Sequence, residues 1–135
     1  MRITGLYAAL AALLILVLAV RVSLGRRSHR IGLGEGGNEM LARRIRVHGN
    51  AVEYVPLALI LLLVLELNQT QPLLLHVFGC VLIAARIIHA FGLSAASGVS
   101  PGRAIGSALT WLDIAVMALL ILWQKIGTWV LAQSV

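Results

Sequence analysis

The chain has 135 residues, of which 60% are hydrophobic and only 12% charged, with a mean hydropathy of +0.96. Soluble domains are nearer half apolar and a quarter charged, so this composition excludes a small soluble globule and calls for a bilayer as solvent. The net charge of +6 does not point to nucleic acid, because the arginines sit between or at the ends of apolar runs. That is the pattern of a membrane protein held by an anionic leaflet.

The first span covers residues 3–21. It is longer than the core of a signal peptide and its charges follow it, so it reads as a retained helix. Residues 22–45 read as a loop rich in arginine and glycine, where "RIGLGEGGNEM" can take an irregular path. No GK[ST] follows, which excludes a phosphate-binding P-loop. Asn38 suits the N-cap of a long helix that carries the second span, residues 47–67, with Pro56 expected to kink it. The polar turn "NQTQP" leads into the third span, residues 72–91, with Pro72 in its first turn. A small-residue loop, "GLSAASGVSPG", precedes the fourth span, residues 103–123. Trp123 and Trp129 suit an interfacial belt, and the tail "TWVLAQSV" is expected at the far surface. The expected fold is all-α, a single four-helix membrane bundle over residues 1–135.

The lone cysteine, Cys80, lies within an apolar run and reads as a small buried hydrophobe. No Cys/His cluster has ligand spacing, so no metal is expected. Arg21, Arg26, Arg27 and Arg30, with Arg43, Arg44 and Arg46, make the first loop strongly basic, whereas the second turn has no basic residue. The positive-inside rule then puts this loop in the cytoplasm and both termini outside.

Charged groups inside spans cost several kcal/mol unless paired or wet, so each is a candidate for function. Arg46, Asn50, Glu53 and Tyr54 are spaced 0, +4, +7 and +8, one stripe of a helix, and Arg43 extends it by a turn. The third span adds Arg86 and His89, and the fourth opens with Arg103. All fall within about two turns of the same membrane surface, so three helices bring polar groups to one depth. Several arginines with an Asn and a Tyr suit carboxylates or phosphates, and Glu53 suits an amine; a small zwitterionic peptide fits that mixture. An arginine can also stabilise a thiolate. The competing readings are structural. Arg86 could pair with Glu53 or Asp113, Arg103 could be a topogenic end charge, and His89 could be a packing residue. Asp113, near the bilayer centre, needs a partner or a proton, while Glu66 and His76 are expected to face headgroups.

These residues resemble the MAPEG family, the membrane-associated proteins in eicosanoid and glutathione metabolism. The segment "RIRVHGNAVEYVPLAL" is similar to the family's second-helix pattern R-x-x-x-N-x-x-E-[YF]-x-P. "RIIHAFG" and "HRIGLGEGGNEML" resemble its bacterial branch, and the likeness covers nearly the whole chain. It implies a homotrimer with sites between subunits, like the microsomal glutathione transferases, binding glutathione as co-substrate on the cytoplasmic side. The second substrate would be a lipophilic small molecule arriving from the bilayer. On this resemblance Arg46, Asn50, Glu53 and Tyr54 hold glutathione, with Arg86 and His89 helping from the third helix. Arg103 takes the place of the thiolate-stabilising arginine, and Arg30 that of a first-loop arginine reaching the ligand. Departures exist: His89 stands where tyrosine is usual, Leu93 replaces a second aromatic, and His48 occupies a position often held by glutamine. The expected function is a glutathione-dependent transferase, also a peroxidase, in a bacterial inner membrane. The alternative is a non-enzymatic lipid-binding or scaffold protein using the same cleft, and a weaker third is a proton-coupled channel built around Asp113.

Overall fold

The structure, a computed structural model, describes the backbone of residues 2–95 and 100–133 and the side chains of residues 2–92 and 100–127. The Trp129 and Leu93 side chains and loop residues 96–99 lie outside the described residues. Four helices follow one another: α1 (Ile3–His29), α2 (Glu39–Leu67), α3 (Pro72–Ala95) and α4 (Pro101–Gln133). Each is long and apolar enough to cross a bilayer, and no strand occurs among the described residues. The protein is a four-helix membrane bundle.

The first loop is much shorter than residues 22–45. Helix α1 continues through Arg21, Arg26 and Arg27 to His29, because arginine is a good helix former and can snorkel to the interface. The chain breaks only where glycines make other conformations cheap. Arg30, in the left-handed region at φ 54°, closes α1 by donating its N–H to the carbonyls of Arg26 and Arg27. Asn38 then caps α2 as expected, its side chain accepting from the Leu41 N–H at 2.9 Å. Helix α2 runs unbroken through Pro56, and Pro72 opens α3. Helix α4 begins at Pro101 and absorbs the tail as far as Gln133.

Helices α2 and α3 form the centre of the bundle. Helix α1 packs on both, α4 packs on both from elsewhere, and α1 and α4 do not meet among the described residues. The main core draws on all four helices through Tyr7, Leu62, Leu65, Phe78, Leu82 and Met117. Leu18, Val47, Ala51 and Ala90 form a smaller cluster nearer the first loop. Many large apolar side chains, Leu13, Leu16, Ile60 and Leu119 among them, face outward instead. With lipid as solvent this placement has no cost, so close packing and polar ties must hold the helices together.

The closest packing joins α3 to α4. A Cβ on Gly106 would lie 2.6 Å from the His89 backbone nitrogen and 2.7 Å from the Ala85 carbonyl oxygen. Ser100 adds a polar tie, donating to the Gly92 carbonyl at 2.6 Å while accepting from the Arg103 N–H at 3.3 Å. At the opposite membrane surface Glu66 departs from its expected role facing headgroups. Its carboxylate accepts from the backbone N–H groups of Ile3 and Thr4, capping α1 from a neighbouring helix. His76 is likewise engaged, its Nδ1 2.9 Å from the Tyr7 hydroxyl. Cys80 is exposed on the surface of α3 rather than buried, with its sulfur 3.2 Å from the same hydroxyl. The outward face of a membrane helix is itself apolar, so a small hydrophobe is at home there.

Gly106→Ala should force α3 and α4 apart and destabilise the bundle by about 1–3 kcal/mol, measured by unfolding in mixed micelles. Glu66→Ala should cost about 1–2 kcal/mol as a lost helix cap, and amide exchange should quicken at the first turn of α1 and nowhere near the first loop.

Candidate functional site

On the first-loop side, α2, α3 and α4 enclose a cleft of about 350 Å³ lined by Arg46, Asn50, Tyr54, His89, Arg103, Ser107 and Trp111. This lies within the ~300–1,000 Å³ range of small-molecule sites. The lining follows from helix periodicity. Helices α2 and α4 both enter the membrane from this side, and Arg103, Ser107, Thr110 and Trp111 repeat the 0, +4, +7, +8 spacing of Arg46, Asn50, Glu53 and Tyr54. Two stripes therefore face each other across the end of α3. Ser107 and Trp111 were not singled out from the sequence, although the repeated spacing was the signal for them.

Behind the cleft, Arg86 is only 2% exposed. One guanidinium nitrogen donates to Asn50 Oδ1 at 2.6 Å. Another donates to the Gly106 carbonyl at 3.0 Å and to Thr110 Oγ1 at 2.6 Å. The Thr110 hydroxyl in turn donates a hydrogen bond to the Gly106 carbonyl at 2.8 Å. Arg86 thus ties α2, α3 and α4 together, and pairs with neither Glu53 nor Asp113. Its guanidinium also lies 6.0 Å from the centroid of the Tyr54 ring. Because the Asn50 oxygen faces this cation, its NH₂ group remains as a donor for the cleft.

His89 lies at the α3 wall with Nδ1 3.3 Å from the Arg103 carbonyl oxygen and 3.1 Å from Ser107 Oγ. Its Nε2 is buried without a hydrogen-bond partner among the described residues. A buried bare acceptor costs less than a buried unused N–H, which favours the proton on Nδ1. The ring then donates to the Arg103 carbonyl and Ser107 Oγ, and the Ser107 proton is left for the cleft.

The cleft is cationic at its loop end and aromatic toward the bilayer. The Arg103 guanidinium has no partner among the described residues, and Arg46 makes only an exposed ion pair with Glu53 at 3.8 Å. Such a pair holds either partner weakly. Tyr54 and Trp111 lie about 12 Å further in along their helices, with ring centroids 6.4 Å apart.

Some candidate residues fall elsewhere. Glu53 stays on the exposed rim beside Arg46. Arg30 is exposed at the end of α1, and His48 is half-buried on α2; neither lines the cleft. Arg43 does not extend the cleft stripe, because it turns to Glu39 at 3.5 Å on another side of α2. Asp113 is 4% exposed, and its Oδ2 has no hydrogen-bond partner among the described residues.

Residues 4–123, which contain every residue of the cleft, match the MAPEG family. The chain belongs to the MAPEG family. It is also similar to the inner membrane protein YecN of Escherichia coli strain K12, at 37% identity over 121 residues, covering 90% of this chain and 91% of that protein. YecN from Escherichia coli O6:H1 matches with the same identity and coverage.

Thr110→Val should leave a charged, buried donor short of an acceptor and cost about 1–3 kcal/mol. Thr110→Ser, which keeps the oxygen, should recover most of that loss in the same unfolding measurement.

Proposed function

We propose that this MAPEG protein is a membrane-bound, glutathione-dependent transferase that conjugates lipophilic electrophiles and also reduces lipid peroxides. In this reading it works as a homotrimer in the inner (cell) membrane, with the first loop and the cleft on the cytoplasmic side and both termini outside. The supporting observation is the Arg103 guanidinium, without a partner among the described residues, in a cleft that is cationic at one end and aromatic at the other. A charged tripeptide enters from the water, and an apolar partner from the bilayer. The inner-membrane assignment follows the likeness to the inner membrane protein YecN. The orientation rests on the arginine-rich first loop.

Glutathione carries two carboxylates, an ammonium and a thiol. Arg46 and the Asn50 amide take a carboxylate and a carbonyl, Glu53 on the rim takes the ammonium, and Tyr54 backs the peptide. Arg103 and the Ser107 hydroxyl face the sulfur. The thiol proton leaves to water while Arg103 stabilises the thiolate, since a guanidinium does not give up its own proton. The thiolate then forms a C–S bond to the electrophilic carbon, and the leaving group departs with the electrons of the broken bond. With a peroxide, two glutathione molecules supply two electrons; the O–O bond breaks to alcohol and water, and the sulfurs join as a disulfide.

The cleft opens on the side of the chain, where Trp111 is 56% exposed. A neighbouring subunit would cover that side. Arg30 and His48, which do not reach the cleft of their own chain, are then free to approach a neighbour's.

Arg103→Ala should lower kcat/KM toward a model aryl halide at least about a hundredfold, the scale of losing one donor to a developing anion, while calorimetry still detects glutathione binding. Unchanged turnover removes Arg103 from the chemistry. If the wild-type protein shows neither heat nor thermal shift with millimolar glutathione, the non-catalytic lipid-binding reading takes its place.

A further inference from the structure

A second polar cavity lies between α1 and α2, away from the cleft. It has a volume of about 250 Å³ and is lined by Arg21, Met40, Arg43 and Arg44. Below it the space between Leu18, Arg21, Arg44 and Val47 is closed, Leu18 and Val47 being buried, whereas Val17, one turn deeper than Arg21 on the same face of α1, is 57% exposed. A cluster of guanidinium groups therefore stands directly above exposed apolar surface of α1. We infer that this is a discrete binding site for one anionic phospholipid, with the phosphodiester among the three arginines and an acyl chain running along the exposed face of α1 past Val17.

Four observations support this. The first is rotational. Each residue turns a helix by about 100°, so Arg44 and Arg46 project from nearly opposite sides of α2. Arg46 faces the cleft and Arg44 faces α1, which separates the two sites.

The second is the seating of Arg44. Its Nη1 donates to the Arg21 carbonyl oxygen at 3.4 Å, and its Nη2 lies 3.3 Å from the Met40 sulfur. Both contacts are long or weak, and a guanidinium has five N–H donors, so several remain for a ligand. A Cβ on Gly25 would come within 3.0 Å of Arg44 Nη1 and 3.1 Å of Leu41 Cδ1. The glycine therefore leaves the space into which the Arg44 head folds against α1.

The third is charge. Arg21 is exposed with no side-chain partner among the described residues, and the one ion pair these arginines make there is Arg43 with Glu39 at 3.5 Å. Three cations against one carboxylate leave an excess that a phosphodiester complements, and the guanidinium fork matches phosphate oxygens in pairs.

The fourth is depth. Arg21 lies eighteen residues beyond Ile3, the start of α1. That is about 27 Å along a helix, close to the ~30 Å thickness of the hydrocarbon core. The cluster is therefore level with phospholipid headgroups, and a leaflet rich in anionic lipid is the source at hand.

The test is native mass spectrometry of the intact protein released from nanodiscs holding equal phosphatidylglycerol and phosphatidylcholine of matched chains. Phosphatidylglycerol should be retained at one per chain, and the Arg21→Gln/Arg44→Gln variant should lose at least tenfold of that retention. Arg27→Gln, which alters an exposed arginine outside the cavity, should retain lipid like the wild type. Arg21→Gln alone touches no internal contact and should show a clear part of the loss even if the double variant folds poorly. Excess glycerol phosphate should not displace the lipid, because it lacks the acyl chain; displacement would make this a soluble-phosphate site. Equal retention of the two lipids, full retention by Arg21→Gln, or an oligomer carrying no lipid because a second copy fills the site would each overturn the proposal. None of these outcomes depends on whether the α2–α4 cleft binds glutathione.

Discussion

A guanidinium buried inside a membrane bundle has few tolerable environments, and the loop-side half of this protein is organised around providing one. Arg86 would cost several kcal/mol if left unpaired at that depth. Its two terminal nitrogens keep their hydrogen bonds to Asn50, Thr110 and the Gly106 carbonyl only while α2, α3 and α4 stand at fixed separations. Lipid offers little hydrophobic drive for helices to associate, so such ties matter more here than in a water-soluble core. The glycine-mediated approach of α4 to α3 is part of the same arrangement, since a side chain at position 106 would move the carbonyl that Arg86 uses.

The cleft inherits its geometry from that tie. Asn50 presents its amide because its oxygen is held from behind, and Tyr54 stands beside the guanidinium. His89 and Ser107 meet because Gly106 lets their helices touch. The ligand-facing groups are thus set before any ligand arrives, which reduces the ordering cost of binding. At the loop end of the cleft Arg103 has no partner among the described residues and Arg46 only a loose one. The outer half depends on different contacts: Glu66 capping α1, Tyr7 meeting His76, and a large apolar core. The two halves are therefore held by different kinds of contact: a buried polar tie beside the cleft, and an apolar core with a helix cap at the other surface.

Helix α2 has two active faces. Arg46, Asn50 and Tyr54 turn toward α4, while Val47 packs against α1 and Arg44 turns into the proposed lipid site. Neighbouring arginines of α2 thus reach different surroundings through helical rotation alone.

Much of this was legible in the residues themselves. Hydropathy determined four spans, because a bilayer demands long apolar helices whatever their neighbours. The stripe from Arg46 to Tyr54 and the Asn38 cap were equally local, set by helix period and capping chemistry. Family membership was visible in the same stripe. The extent of α1 was not, since arginine fits a loop or a helix end equally well and only the positions of the glycine turns decided it. Nor could spacing show that Arg86 stands behind the cleft while Arg103 faces into it, that Glu66 caps a different helix, or that Arg43 leaves the stripe for Glu39. Those outcomes depend on which helix lies opposite each side chain and how closely it approaches. Periodicity assigned each polar residue to a face; only the packing of α2, α3 and α4 decided what that face would meet.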